Sequence, residues 1–202
     1  MHRVRIYQGD ITALNVDVIV NAASADLSEG IGVSASIRGA AGAEYALSCH
    51  ALGSCPVGEI RVTPGFRLAA NMVIHAVGPV WRGGDNNEAG LLASCYYKAM
   101  IAAKKHSASS IAFPAISCGA AGFPVHGATK VAIDQVKSAL QDNALIESVV
   151  FCCFDPVTAA VYKNQIGKFI LLKGHNHVPD KELCVFKRVT RWIERIPLHL
   201  LD

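Results

Sequence analysis

The sequence predicts an α/β fold with at least part of its sheet parallel, and two observations carry that expectation. Short apolar runs bounded by turn residues recur along the chain, and longer stretches with apolar residues about three and four apart lie between them. Where strands and helices alternate in this way, each helix carries the chain back to start the next strand, so neighbouring strands run parallel. The composition agrees. With 202 residues, 51% of them hydrophobic and 17% charged, the chain has enough apolar surface for one core and too little polar sequence for disorder.

Taken in order, the predicted strands are Arg3–Tyr7, Val16–Val20, Glu59–Thr63, Met72–Ala76, Ser110–Phe113 and Ser148–Phe154. Each is a run of about the length a buried strand needs. The predicted helices are Ser34–Leu52, Glu88–Lys105, His126–Asp142 and Val157–Lys163, where the apolar spacing lengthens to that of a helix face.

Several function classes are set aside by charge and composition. Nineteen Lys and Arg against sixteen Asp and Glu give a net charge of +3, too weak for a nucleic-acid groove without a local cluster, yet compatible with a small anionic ligand. No apolar run reaches the roughly 18 residues of a membrane span, and the start MHRVRIYQGD enters a strand pattern without a signal-peptide core. A cytoplasmic protein without membrane contact is expected. The seven cysteines, at 49, 55, 95, 118, 152, 153 and 184, lack paired spacing and read as reduced, mostly buried thiols, so neither a metal nor a cofactor is expected.

Two loops carry the functional signal. The first runs from Asn21 through Ala22, Ala23 and Ser24 to Ser28, Glu29, Gly30, Ile31, Gly32 and Val33. The second runs Ser117, Cys118, Gly119, Ala120, Ala121, Gly122, Phe123, Pro124. Both follow a strand, are built from small residues that let backbone N–H groups approach a ligand, and open a helix whose N-terminus attracts phosphate. A diphosphate held between them is the functional reading; glycines that merely make tight turns are the bland one. Neither loop is a Walker A or a clean GxGxxG sequence.

The order of motifs adds to this. Gln8-Gly9-Asp10-Ile11-Thr12, Val16 to Ala23, Arg38-Gly39-Ala40-Ala41-Gly42, Cys55-Pro56-Val57-Gly58-Glu59, Ile74 to Gly84 and Phe113 to Ser117 together resemble the macrodomain family. The nearest look is to the bacterial O-acetyl-ADP-ribose deacetylase and MacroD-type group, over roughly residues 3 to 165. The resemblance implies a three-layer α/β/α sandwich with a mixed, largely parallel central sheet, and a cleft for ADP-ribose or an ADP-ribosylated protein. It implies that Asp10, with Ile11 beside it, accepts a hydrogen bond from the adenine amino group, where the bland reading is a helix cap. It places Phe154 against the adenine ring, where the alternative is a core aromatic. The ligand-binding set it implies is Asp10, Ile11, Asn21, Ala23, Gly30, Ile31, Gly32, Val33, Ser117, Cys118, Gly119, Ala120, Ala121, Gly122, Phe123 and Phe154, with backbone amides of the second loop cradling the diphosphate.

Three departures from the active members fall on catalytic positions. Ser24 stands for a second asparagine, Glu29-Gly30-Ile31-Gly32 for a run of glycines, and Ser34 for an aspartate thought to position or activate water at the distal ribose. A serine hydroxyl is a far poorer base than a carboxylate. Asn21, Ser24 and Ser34 are therefore the candidate catalytic positions, and the expected behaviour is ADP-ribose binding with weak or lost hydrolysis. Hydrolysis through non-standard residues such as Asp26, Glu29 or Cys118, and a scaffold that no longer binds, are the alternatives. Ala121, where the family usually has an aromatic residue, leaves the ribose end roomier. His75, inside a strand motif, reads as structural. Beyond a domain of residues 1–168, the extension 169–202 carries Leu183, Phe186, Val189, Trp192, Ile193 and Ile196 at helical spacing among Lys187, Arg188, Arg191 and Arg195. That basic amphipathic helix is expected to pack on the domain, a membrane surface or partner being the alternative.

Overall fold

The computed structural model describes residues 3–28 and 30–172. The extension helix expected beyond residue 172, and Glu29, lie outside the described residues. Six strands, β1 (Val4–Gln8), β2 (Val18–Ala22), β3 (Ile60–Pro64), β4 (Met72–Ala76), β5 (Ser110–Pro114) and β6 (Ser148–Cys153), form one sheet in the order β1-β6-β5-β2-β4-β3. All neighbours are parallel except β3, which runs antiparallel to β4. The sheet is mixed and largely parallel, as the alternating sequence requires.

Five helices cover it: α1 (Val33–Ala41), α2 (Ala43–Leu52), α3 (Glu88–Lys105), α4 (Val125–Gln141) and α5 (Pro156–Leu172). The α1/α2 face is filled by Ile19, Ile37, Tyr45, Val73, Ala112 and Val150, all buried. On the opposite face, Tyr96 of α3, Phe113 of β5, Phe151 of β6 and Tyr162 of α5 meet in a chain of ring contacts with centroids 4.7 to 6.2 Å apart. Alternate strand residues thus enter different cores, which is why these strands read as continuous apolar runs. The three layers follow.

Three elements differ from expectation, and one of them, α5, runs nine residues past its expected end at Lys163, to Leu172. The single helix predicted over Ser34–Leu52 is two, broken at Gly42, whose φ of 90° cannot continue a helix and whose N–H returns to the Arg38 carbonyl. Strand β2 begins two residues later than expected and extends through Asn21 and Ala22, because Val18 to Ala22 pair with Met72 to Ala76. Asn21 therefore belongs to the strand rather than to the loop after it. It is 2% exposed.

Candidate functional site

Strands β1, β6, β5, β2 and β4 end at one edge of the sheet, and the segments leaving them there surround a cleft of about 610 Å³. That is within the range of small-ligand sites. The sheet order makes its ends distinct: β1 and β6 bring Asp10 and Phe154 to one end, while β2 and β5 bring the two small-residue loops to its middle and other end.

At the first end, Asp10 caps a short 3₁₀ turn, Ile11–Ala13. Its Oδ1 accepts from the Thr12 N–H at 2.9 Å and the Thr12 hydroxyl at 2.8 Å, while Oδ2 has no partner among the described residues. The cap reading is therefore correct as far as one oxygen goes, and the other is free to accept. Phe154 is 86% exposed, so it is not a core aromatic; it stands on the cleft wall next to Asp155. Asp155 caps α5 by accepting from the Thr158 N–H at 2.8 Å, and this bond holds its carboxyl below the usual range.

The first loop delivers Ala23, Ser24, Gly30, Ile31, Gly32 and Val33 to the cleft. Gly30 is required there, because a Cβ at that position would lie 2.6 Å from the Ser34 Cβ and Oγ. Helix α1 starts on Gly32 without a side-chain cap, and its first intrahelical bond runs from the Ser36 N–H to the Gly32 carbonyl at 3.1 Å. The N–H groups of Val33 and Ser34 have no acceptor among the described residues, and both residues line the cleft. An uncapped helix N-terminus facing a cleft is suited to an anion. Ser34 is 6% exposed, with its Oγ 3.5 Å from Asn21 Nδ2. Ser24 is turned inward on its own loop, donating to Asp26 Oδ1 at 2.7 Å. The hydroxyls of Ser24 and Ser28 and the Ser28 N–H lower the Asp26 carboxyl to about 2, and Asp26 is absent from the cleft lining.

The second loop contributes Ser117, Cys118, Gly119, Ala120 and Ala121. Gly122 and Phe123 lie behind it, because their N–H groups close the loop on itself, donating to the Gly119 and Ser117 carbonyls at 2.9 Å each. The Cys118 N–H donates to the Ala115 carbonyl at 3.2 Å. The N–H groups of Gly119, Ala120 and Ala121 have no acceptor among the described residues. The run of unengaged N–H groups in this loop is thus shorter than the loop itself. Burial, with Cys153 and Asp155 nearby, pushes the Cys118 thiol up to about 12, which suits a small wall residue and not a nucleophile.

A neighbouring segment braces this loop. The Trp81 N–H donates to the Ala121 carbonyl at 2.8 Å, and the Trp81 ring packs on Phe123 with centroids 4.5 Å apart. Glu88 in turn fixes the Trp81 segment, accepting from the N–H groups of Arg82, Gly84 and Asn86 at 3.0, 3.3 and 2.8 Å. Burial alone would raise the Glu88 carboxyl, but backbone N–H groups, with those of Arg82, Asn86 and Gly84 among them, outweigh it and hold it at about 2. A carboxyl depressed in the folded state stabilises above its unfolded value and stops doing so as pH falls through the folded one. Thermal unfolding of the unmodified chain is therefore expected to shift downward between about pH 4.5 and 2, and Glu88→Gln to flatten part of that slope. A slope identical in the two proteins would show that Glu88 is not the group responsible.

Some lining residues lie outside the ligand-binding set that the resemblance implies: Gly9, Gly78, Pro114 to Ile116, Cys152 and Thr158. Pro114 to Ile116 directly follow a predicted strand, and Asp155-Pro156 is a helix-start signal, so those are within reach of sequence reasoning. Gly78 lies in the Ile74 to Gly84 motif, whereas Cys152 carries no local signal and is brought there by the parallel register. Among the described residues the lining contains no Lys or Arg.

A six-stranded mixed sheet whose parallel strand ends hold a cleft between two small-residue loops is the arrangement of a macro domain. The chain belongs to that family, whose model, Macro domain, matches residues 20–132. It is 46% identical over 167 residues to a macro domain-containing protein of Mesorhizobium japonicum, covering 83% of this chain and 95% of the relative. It is 44% identical over 165 residues to an O-acetyl-ADP-ribose deacetylase of Citrobacter koseri, covering 80% and 93%. Among solved structures, a variant of the Oceanobacillus iheyensis macrodomain with ADPR is 35% identical at a TM-score of 0.78, covering 82% of this chain and 92% of that one. The Trypanosoma brucei macrodomain in complex with ADP-ribose is 31% identical at a TM-score of 0.76, covering 81% and 69%. No described helix is long and apolar enough to cross a membrane.

Proposed function

We propose that this chain binds ADP-ribose, free or attached to protein, and hydrolyses its conjugates weakly or not at all. The observation that carries the reading is the pairing of two donor sets across one cleft: the uncapped N-terminus of α1 and the unengaged N–H groups of Gly119 to Ala121. Two rows of backbone donors suit a diphosphate. Asp10 Oδ2 and the exposed Phe154 ring supply an acceptor and a flat apolar face at one end, as an adenine requires. The naming of relatives as ADP-ribose complexes and deacetylases supports the same ligand class.

Weak turnover follows from what faces the other end. Ser34 offers a hydroxyl where a base is needed, the Ser24 hydroxyl is engaged as a donor to Asp26, and Asp26 itself, outside the cleft lining and held at about 2, is a poor base. The high Cys118 thiol disfavours the cysteine route. Titrating the chain with ADP-ribose in a calorimeter tests the binding reading directly; an absence of heat at millimolar ligand would leave only the scaffold.

The cradle has a measurable signature. Because no Lys or Arg lines the cleft among the described residues, affinity for ADP-ribose is expected to change less than about threefold between roughly 50 and 500 mM salt, whereas ion-paired phosphates lose affinity steeply. A steep decline would require a basic side chain to reach the phosphates.

A further inference from the structure

Beneath the first loop, on the α1/α2 face, a buried polar chain crosses three strands and ends at the cleft. His75 of β4 is 1% exposed, and its Nε2 lies 3.0 Å from the Thr63 hydroxyl of β3. Its Nδ1 lies 3.4 Å from Asn21 Nδ2 of β2. That amide nitrogen also lies 3.3 Å from the Tyr45 hydroxyl and 3.5 Å from Ser34 Oγ, so two hydrogens serve three acceptors. Asn21 Oδ1, by contrast, is buried with no partner among the described residues. Only Ser34 of this set lines the cleft.

The roles within the chain follow from one proton. Burial, then the nearby Arg38 cation, lowers His75 to about 4, so the ring is neutral at physiological pH. A neutral imidazole has one N–H and one acceptor nitrogen. Asn21 can only donate from Nδ2, so Nδ1 accepts and Nε2–H donates to Thr63. This tautomer is assigned from the network. The amide of Asn21 is thereby fixed in rotation by groups from β4 and α2, and the Ser34 hydroxyl faces a fixed donor.

We propose that His75 is a positioning residue for the ribose end of the ligand: by orienting Asn21 it sets the Ser34 hydroxyl at the cleft wall, and so favours ADP-ribose over ADP. This rests on ADP-ribose occupying the cleft as proposed above. A purely structural role would stabilise the fold and both nucleotides alike, since ADP carries the same adenine and diphosphate. A positioning role concerns only the part that ADP lacks.

Calorimetry with ADP-ribose and with ADP on the full chain separates these. His75→Phe keeps a ring of similar size and removes the acceptor; it is expected to raise the Kd for ADP-ribose roughly five- to tenfold while the Kd for ADP moves less than about twofold. His75→Asn places an oxygen at the position of Nδ1 and leaves a cavity, so it is expected to lower the unfolding midpoint yet restore the ADP-ribose preference. If His75→Phe does not fold, Tyr45→Phe, which removes the other side-chain bond behind Asn21, gives the same comparison. Equal losses for the two nucleotides, or no change in either, overturn the proposal while leaving the binding reading intact. Failure of the unmodified chain to bind either nucleotide overturns the binding reading, and the proposal falls with it.

Discussion

Changing Ser24 to Asn, Ser34 to Asp and Ile31 to Gly together is expected to raise hydrolysis of O-acetyl-ADP-ribose by about 10²–10⁴-fold over the unmodified chain, the range that general acid–base help supplies. The structure shows why the scaffold can accept the change. Position 34 is in the first turn of α1, where a carboxylate is favoured by the helix dipole and by unsatisfied N–H groups. It also faces the Asn21 amide and lies against Gly30, which has no side chain to obstruct it. Ile31 is 77% exposed, so its removal opens the loop without opening the core. Ser24→Asn removes the hydroxyl that donates to Asp26 and supplies an amide for the ribose in its place. A mass-spectrometric deacetylation assay on both proteins decides the matter. Turnover by the unmodified chain already matching an active relative would overturn the reading of these serines.

Asp10→Ala is expected to weaken ADP-ribose binding by about 1.5–3 kcal/mol, equivalent to roughly a ten- to 150-fold rise in Kd, because the proposed charge-assisted bond to the adenine amino group would be removed. The same change deletes the cap on the 3₁₀ turn, so its effect on stability has to be separated from its effect on the ligand. Asp10→Asn does this. Its side-chain oxygen can still accept from the Thr12 N–H, but it offers no charged acceptor, so the unfolding midpoint should stay near that of the unmodified chain while affinity falls part of the way. Calorimetry that finds all three proteins equally tight would remove Asp10 from the ligand site.

Much of this is legible in the sequence because the signals are local. Apolar runs mark all six strands within a few residues, and the two loops stand out by their small residues at strand ends. The corrections have long-range causes. Asn21 reads as a loop residue because it is polar, but pairing with β4 draws it into the sheet and buries it beside His75. Gly122 and Phe123 read as cradle residues by position, yet their N–H groups close a turn, a bond that only three-dimensional geometry reveals. The reading of His75 as structural agrees with its burial, but its partners Thr63, Asn21 and Cys49 are scattered along the chain and carry no local signal.

The sheet order also sets a timetable. Strand β1 has one sheet neighbour, β6, and Val4 pairs with Val149, so the first strand made waits for the last. The side chain of Arg3 likewise donates to the carbonyls of Leu140, Asn143 and Ile146, all late in the chain. At typical synthesis rates of about 5–20 residues per second, β1 leaves the ribosome roughly 7 to 30 seconds before its partner exists. The two small-residue loops, built on β2 and β5, precede β6 in the chain, whereas Asp10 and Phe154 come together only when β6 arrives. A nascent chain halted before residue 148 would therefore lack both β6 and Phe154, and the Asp10 end of the cleft is the last part of it to be completed.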